Sequence, residues 1–276
     1  ALDTAVELAK KADKVVLTLG EHRDYSGEGA SRADITLPSC QLELFHKICE
    51  VNPNVCVVLF NGRPLDIREI NQKAKAILEA WLPGTEGGNA LAGILYGDAS
   101  PSGRLSMSFP YCVGQVPVHY NHMSTGRPFA GDYRTTRYNS KYLDIPNEPL
   151  YPFGYGLSYT NFSYGNLQLS SDVLSRNGEL TVSVTVTNDG DFDGYEIVQM
   201  YLHDIYAEIS RPVKELKGFE RIFLKKGESR EVKFVITEDD LRFYNSGLQY
   251  VYEPGEFDVM VGANSRDVQT ERFRAD

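Results

Sequence analysis

The hydrophobic positions fall into two regimes along the chain. In the first part, wholly apolar runs alternate with stretches where apolar residues recur at helical spacing. Leu2, Ala5, Val6, Ala9 and Ala12 share one helical face, with Asp3, Glu7, Lys10 and Lys11 elsewhere, so residues 2–12 read as an amphipathic helix. Val15-Val16-Leu17-Thr18-Leu19 then reads as a strand buried on both faces and ended by Gly20. Pro38 suits a helix first turn, and Leu42, Phe45, Ile48 and Cys49 form the next apolar stripe, broken at Asn52-Pro53-Asn54. Residues 55–60 are a second apolar strand closed by Asn61-Gly62, a weaker helix is expected over 65–75, and residues 76–81 are a third strand ending in Pro83-Gly84. Gly87-Gly88-Asn89 opens a short helix through Leu95. This alternation predicts an α/β domain with a parallel sheet.

The second regime has period two. Val182, Val184 and Val186 alternate with Ser183, Thr185 and Thr187, as in a strand with one buried face. Residues 196–202 form another strand. Val232, Phe234 and Ile236 follow the Lys225-Lys226-Gly227 turn, and Phe257, Val259 and Val261 follow Glu253-Pro254-Gly255. Short strands at this spacing predict an immunoglobulin-like β-sandwich. Between the regimes, residues 106–159 scatter Pro, Gly, Tyr and Arg without period; their aromatic content argues for an ordered linker rather than disorder. The fold class expected is thus α/β followed by all-β, divided as residues 1–122, an ordered linker over 123–158, and residues 159–276. The α/β part is incomplete: the reading yields only three strands, and the chain opens on a helix that already needs a sheet to cover. The rest of that sheet is expected in sequence preceding Ala1.

Composition narrows the functions. The formal net charge of −10 argues against nucleic acid as a partner. No apolar run approaches a membrane span, so no bilayer crossing is expected. The four cysteines show no C-x-x-C spacing and are expected as buried free thiols. The five histidines have no metal-ligand spacing, and no metal or cofactor is expected. Asp189-Gly190-Asp191-Phe192-Asp193-Gly194 matches half of a calcium loop, but the twelfth position holds Met200 in place of Glu, which leaves a solvated turn between strands.

Candidate chemistry concentrates after the first strand. A loop leaving the C-terminal end of a parallel strand is where open α/β sheets place their chemistry. Here it carries Glu21 and Glu28, the second flanked by Gly27 and Gly29. The glycine spacing is wrong for G-x-G-x-x-G, and two carboxylates would repel a pyrophosphate, so a nucleotide site is the weaker reading. An exposed loop glutamate ordinarily serves solubility. For Glu28, the flanking glycines and Arg32 weigh against that role. Glu21, next to the strand, is expected to hold the base of the loop, and Glu28 to sit at a tip that can reach across an interface.

Several segments carry a family likeness. Gly27-Glu28-Gly29-Ala30-Ser31-Arg32, Asn61-Gly62-Arg63-Pro64-Leu65, Trp81-Leu82-Pro83-Gly84-Thr85-Glu86-Gly87-Gly88-Asn89 and Tyr151-Pro152-Phe153-Gly154-Tyr155-Gly156 resemble the second domain of glycoside hydrolase family 3, nearest to its bacterial periplasmic β-glucosidases. Arg211-Pro212-Val213-Lys214-Glu215-Leu216-Lys217-Gly218-Phe219 and Glu253-Pro254-Gly255 resemble its fibronectin type III-like third domain. The resemblance implies a retaining β-glycosidase acting on terminal β-linked glucose, with an oligosaccharide or aryl β-glucoside as substrate and a periplasmic or secreted location. It implies that Glu28 is the general acid/base, and that the nucleophile is an Asp on a preceding TIM-barrel domain. That barrel is absent from this sequence, so the chain is expected to be a C-terminal portion, inactive alone, with the barrel as its partner. A β-xylosidase or other exo-β-glycosidase of the same family and a non-catalytic carbohydrate-binding or structural module are the alternatives.

Overall fold

Leu2–Ala9 (α1) leads into Val15–Gly20 (β1), and Ser39–Val51 (α2) connects this strand to Val55–Phe60 (β2). Arg68–Lys73 (α3) precedes Ala76–Glu79 (β3), and Gly87–Tyr96 (α4) follows it. The three strands are parallel in the order β1-β2-β3. The computed structural model describes residues 1–129 and 137–276; these strands and helices lie in the first of two units, residues 1–99 with 109–118.

The branched residues of the strands supply this unit's core: Leu17, Leu19, Val55, Val57, Val58 and Leu59 are all buried, with Phe45 and Ile48 of α2 buried as well. The first helix ends three residues before the spacing predicts. The buried Asn52 side chain donates to the carbonyls of Ala9 (2.9 Å) and Ala12 (2.7 Å), which takes over the acceptors a further helical turn would have used. The third helix starts at Arg68 rather than Leu65, because Leu65 and Ile67 are buried in an extended segment lying beside Ile35–Leu37. The Asp66 N–H donates to the Ile35 carbonyl across that contact (3.0 Å). The third strand stops at Glu79, and Trp81, expected within it, takes φ +49.

The second unit comprises residues 100–108 and 119–276. Its strands are Phe162–Leu169 (β4), Val173–Leu174 (β5), Leu180–Asn188 (β6), Gly194–Asp204 (β7), Glu215–Leu224 (β8) and Ser229–Ile236 (β9). After the short helix Glu238–Leu241 (α5) come Phe243–Tyr244 (β10), Tyr250–Val251 (β11), Gly255–Gly262 (β12) and Val268–Ala275 (β13). A five-stranded sheet, β5-β13-β12-β7-β8, faces a three-stranded one, β4-β6-β9, across a shared apolar core. Val182, Val184 and Val186 of β6 fill that core as their alternation predicts, against Val198, Met200 and Val259. This is the expected sandwich. Periodicity alone picks out only the strands with the cleanest alternation; β4, β8 and β13 carry more irregular burial.

Segments without regular structure lie along this sandwich. The Tyr120 ring stacks on Phe153 with centroids 4.2 Å apart and meets the buried Tyr201 edge-on. Gln199 donates to the Gly154 carbonyl (3.1 Å). Arg104 pairs with the buried Glu196 at 2.5 Å, and the Tyr164 hydroxyl donates to the same carboxylate at 2.7 Å. Residues 130–136, within the linker expected over 123–158, lie outside the described residues. The Asp189 loop forms the turn between β6 and β7, where Asp191 pairs with Lys226 (2.8 Å) and Asp193 accepts the Lys226 N–H (2.9 Å). All four cysteines are free thiols, but none is fully buried as expected: Cys49, Cys56 and Cys112 are half-buried, and Cys40, in the first turn of α2, is exposed. No helix among the described residues is long and apolar enough to cross a membrane.

Candidate active site

The site is built at the C-terminal ends of the three parallel strands. Gly20 closes β1 with φ +149, and a Cβ there would lie 1.9 Å from the Phe60 carbonyl oxygen. Only glycine permits this approach, which lets the Glu21 N–H donate to that oxygen (2.8 Å) and continue the ladder past the strand end. The Gln41 side chain brackets Gly20, accepting from its N–H and donating to its carbonyl, both at 2.9 Å. The loop therefore departs from a fixed point.

Glu21 fixes the loop base. Its side chain is 1% exposed and accepts from Arg32 Nη1 (2.9 Å), Arg63 Nε (3.1 Å) and the Gly62 N–H (3.2 Å). Two guanidinium groups on one carboxylate satisfy a charge that would be costly to bury alone. Arg63 reaches further, donating through Nη2 to the Tyr25 carbonyl and to the Ala30 carbonyl at 2.9 Å. Arg32 lies over the Tyr25 ring, 5.0 Å from its centroid. At the far end, Thr36 bridges to Asp66, and Ile35 and Leu37 are buried. Both ends of the loop and its middle carbonyls are held, and the tip stands out from them.

Glu28 occupies that tip. It is exposed and makes no hydrogen bond or ion pair with any described residue. Gly27 and Gly29 on either side take φ +114 and +74, backbone that other residues rarely adopt, and a Cβ on either would meet nothing within 4 Å. The glycines serve the bend of the tip and not packing. The two glutamates of the loop thus have opposite environments: one carboxylate is consumed by arginines, the other is presented outward.

A third acidic residue belongs to the same corner. Glu79 ends β3, accepts the Trp81 N–H on Oε1 (2.8 Å) and the Asn61 amide on Oε2 (3.3 Å). Burial raises its carboxyl to a pKa of about 7, against the pull of those two hydrogen bonds. Asn61 is 1% exposed, and its Nδ2 also donates to the Arg63 carbonyl (2.8 Å). Sequence reasoning passed over Glu79, Asn61 and the bridging work of Arg63. The available signals were a glutamate ending an apolar strand and an asparagine directly after a wholly apolar one. Among the described residues no cluster of His, Cys, Asp or Glu has the arrangement of a metal site.

The arrangement can present one carboxyl group for proton transfer on a braced, glycine-flanked tip. Similarity to known proteins gives the family. The model of the glycosyl hydrolase family 3 C-terminal domain matches residues 1–159, and that of the fibronectin type III-like domain matches residues 196–265. A periplasmic β-glucosidase of Salmonella typhimurium is 48% identical over 99% of this chain and 35% of its own length. A β-xylosidase of Formosa agariphila is 45% identical over 95% of this chain and 35% of its own. The crystal structure of a β-glucosidase from Listeria innocua in complex with glucose superposes with a TM-score of 0.93 at 45% identity, covering 100% of this chain and 38% of that one. The chain spans little more than a third of the length of these relatives. With the first family model covering more than half of its residues, the chain belongs to glycoside hydrolase family 3, of which it carries the C-terminal α/β domain and the fibronectin type III-like region that follows.

Proposed function

We propose that this chain is the C-terminal portion of a retaining β-glucosidase and that Glu28 is the general acid/base of the complete enzyme. The observation that supports this most is the contrast within one loop: Glu21 is buried under two arginines, while Glu28 is exposed on a tip whose base is braced. Retaining glycosidases set two carboxyl groups roughly 5–5.5 Å apart, one to attack the sugar and one to pass the proton. Glu28 supplies the second. The first is an aspartate on a TIM-barrel domain, the partner against which the tip docks and which excludes water around the sugar. The substrate is a terminal β-glucosyl residue of an oligosaccharide or an aryl β-glucoside, and the periplasmic relative supports a periplasmic or secreted location.

A β-xylosidase is the second reading, favoured by the Formosa agariphila relative at 45% identity. Rates on nitrophenyl β-glucoside and β-xyloside by the full-length enzyme separate the two. The division of labour is tested with the chain by itself. It should fold yet leave nitrophenyl β-glucoside intact, whereas the full-length enzyme hydrolyses it. Hydrolysis by the isolated chain, lost in Glu28→Gln, would place both carboxyl groups here and overturn the half-site.

A further inference from the structure

Glu79 and Asn61 stand one residue pair behind the Glu28 loop, and their hydrogen bonds leave one atom unexplained. Asn61 Nδ2 serves two acceptors, Glu79 Oε2 and the Arg63 carbonyl, while Asn61 Oδ1 is buried without a partner. A buried unpaired carbonyl oxygen is costly, and natural proteins keep few of them. Here it has a use. The Trp81 N–H holds Glu79 Oε1 at 2.8 Å and the Asn61 amide holds Oε2 more loosely at 3.3 Å, so a proton on this carboxyl goes to Oε2, where it meets the Asn61 amide donor. Two donors cannot share that position. Rotation of the Asn61 amide brings its unpartnered Oδ1 onto the Glu79 hydroxyl and withdraws Nδ2 from the Arg63 carbonyl.

We propose that Glu79 is a positioning residue for the Glu28 loop, acting through the Asn61 amide on the Arg63 segment. Arg63 is the residue that ties Glu21, the Tyr25 carbonyl and the Ala30 carbonyl together, so a shift of its backbone is passed to both sides of the tip. This assignment rests on the role proposed for Glu28. With the Glu79 carboxyl raised to about 7, both states of the amide are populated near neutral pH. The charged groups on the neighbouring segments, Glu21, Arg32 and Arg63, pair with one another. What sets Glu79 is burial, opposed by the Trp81 N–H and the Asn61 amide. The ionised form holds Arg63 and the protonated form releases it.

The single tryptophan of the chain makes this measurable, because Trp81 is the residue hydrogen-bonded to Glu79. In this chain, Trp81 fluorescence and the amide NMR shifts of Gly62, Tyr25 and Ala30 should titrate together with a midpoint near 7. Glu79→Gln, whose side-chain amide donates as the protonated acid does, should abolish that titration and hold the loop amides at their low-pH positions. Asn61→Ala should leave the tryptophan titration in place and remove that of the loop amides. Loop amides that do not move near neutral pH, or that still move in Glu79→Gln or Asn61→Ala, would overturn the proposal. In the full-length enzyme, Glu79→Gln should flatten the limb of the kcat/KM profile near 7, which a purely structural residue would leave unmoved; an unchanged limb also contradicts it. Failure of the Glu28 role is read separately, as full activity of Glu28→Gln with the loop titration intact.

Discussion

Glu21 and Glu28 are the same residue type seven positions apart, and their surroundings give them different work. The Glu21 carboxylate is enclosed by Arg32, Arg63 and the Gly62 N–H, so its neutral analogue should leave two guanidinium groups short of their counter-charge. Both arginines keep about a fifth of their side chains in solvent, which softens the loss below that of a fully buried pair. Glu21→Gln is expected to cost about 1–3 kcal/mol of stability, measured by urea denaturation of the chain. Glu28→Gln, which removes no contact, should cost under about 0.5 kcal/mol. Equal losses for the two would mean that the tip is packed and not presented. The order of these glutamates along the loop was legible in the sequence, since one follows the strand and the other is bracketed by glycines. The role of Arg63 was not. It lies 42 positions from Glu21, and only the parallel pairing of β1 with β2 brings their ends together.

At the scale of elements, the three parallel strands do two tasks: they bury the core and they align three loop origins at one end. Strand identity was readable because a strand covered on both faces is a short, continuous apolar run, and the branched residues and flanking Gly, Pro and Asn set it apart from a buried helix. Element ends were less readable. The first helix stops where Asn52 takes its carbonyls, and the third helix waits until Ile67 is buried, and both are tertiary effects absent from local spacing. In the β-rich part, β6 was legible from its alternation, whereas β8 and β13 mix exposed and buried positions. The junction of β1 with its loop depends on Gly20. Gly20→Ala places a methyl group against the Phe60 carbonyl at a φ that alanine avoids, so the end of β1 must separate from β2. We expect a loss of more than about 2 kcal/mol in thermal unfolding, with the amides of Glu21 and Gly62 losing hydrogen-exchange protection first. A Gly20→Ala chain as stable as the parent would remove the fixed origin of the loop.

On the scale of the molecule, the chain carries two regions of a family whose members are nearly three times its length, and the proposal gives it the acid and a preceding domain the nucleophile. The family likeness was legible because several motifs recur in order, and each has a structural reason in the folded chain. Gly27 and Gly29 bend the tip, and Asn61 with Arg63 braces it. The choice between glucose and xylose was not legible, since the subsite that would hold the sugar is expected mostly on the preceding barrel domain. The central claim is that Glu28 passes the proton, and the leaving-group dependence of Glu28→Gln in the full-length enzyme tests it most directly. Hydrolysis of a disaccharide, whose leaving group needs protonation, should fall by on the order of 10²–10⁴-fold. Cleavage of a dinitrophenyl β-glucoside, which needs little, should persist at its first step, and added azide should restore turnover and yield β-glucosyl azide. A Glu28→Gln enzyme that hydrolyses the disaccharide at the parent rate, or that loses both substrates equally with no azide product, would contradict the assignment.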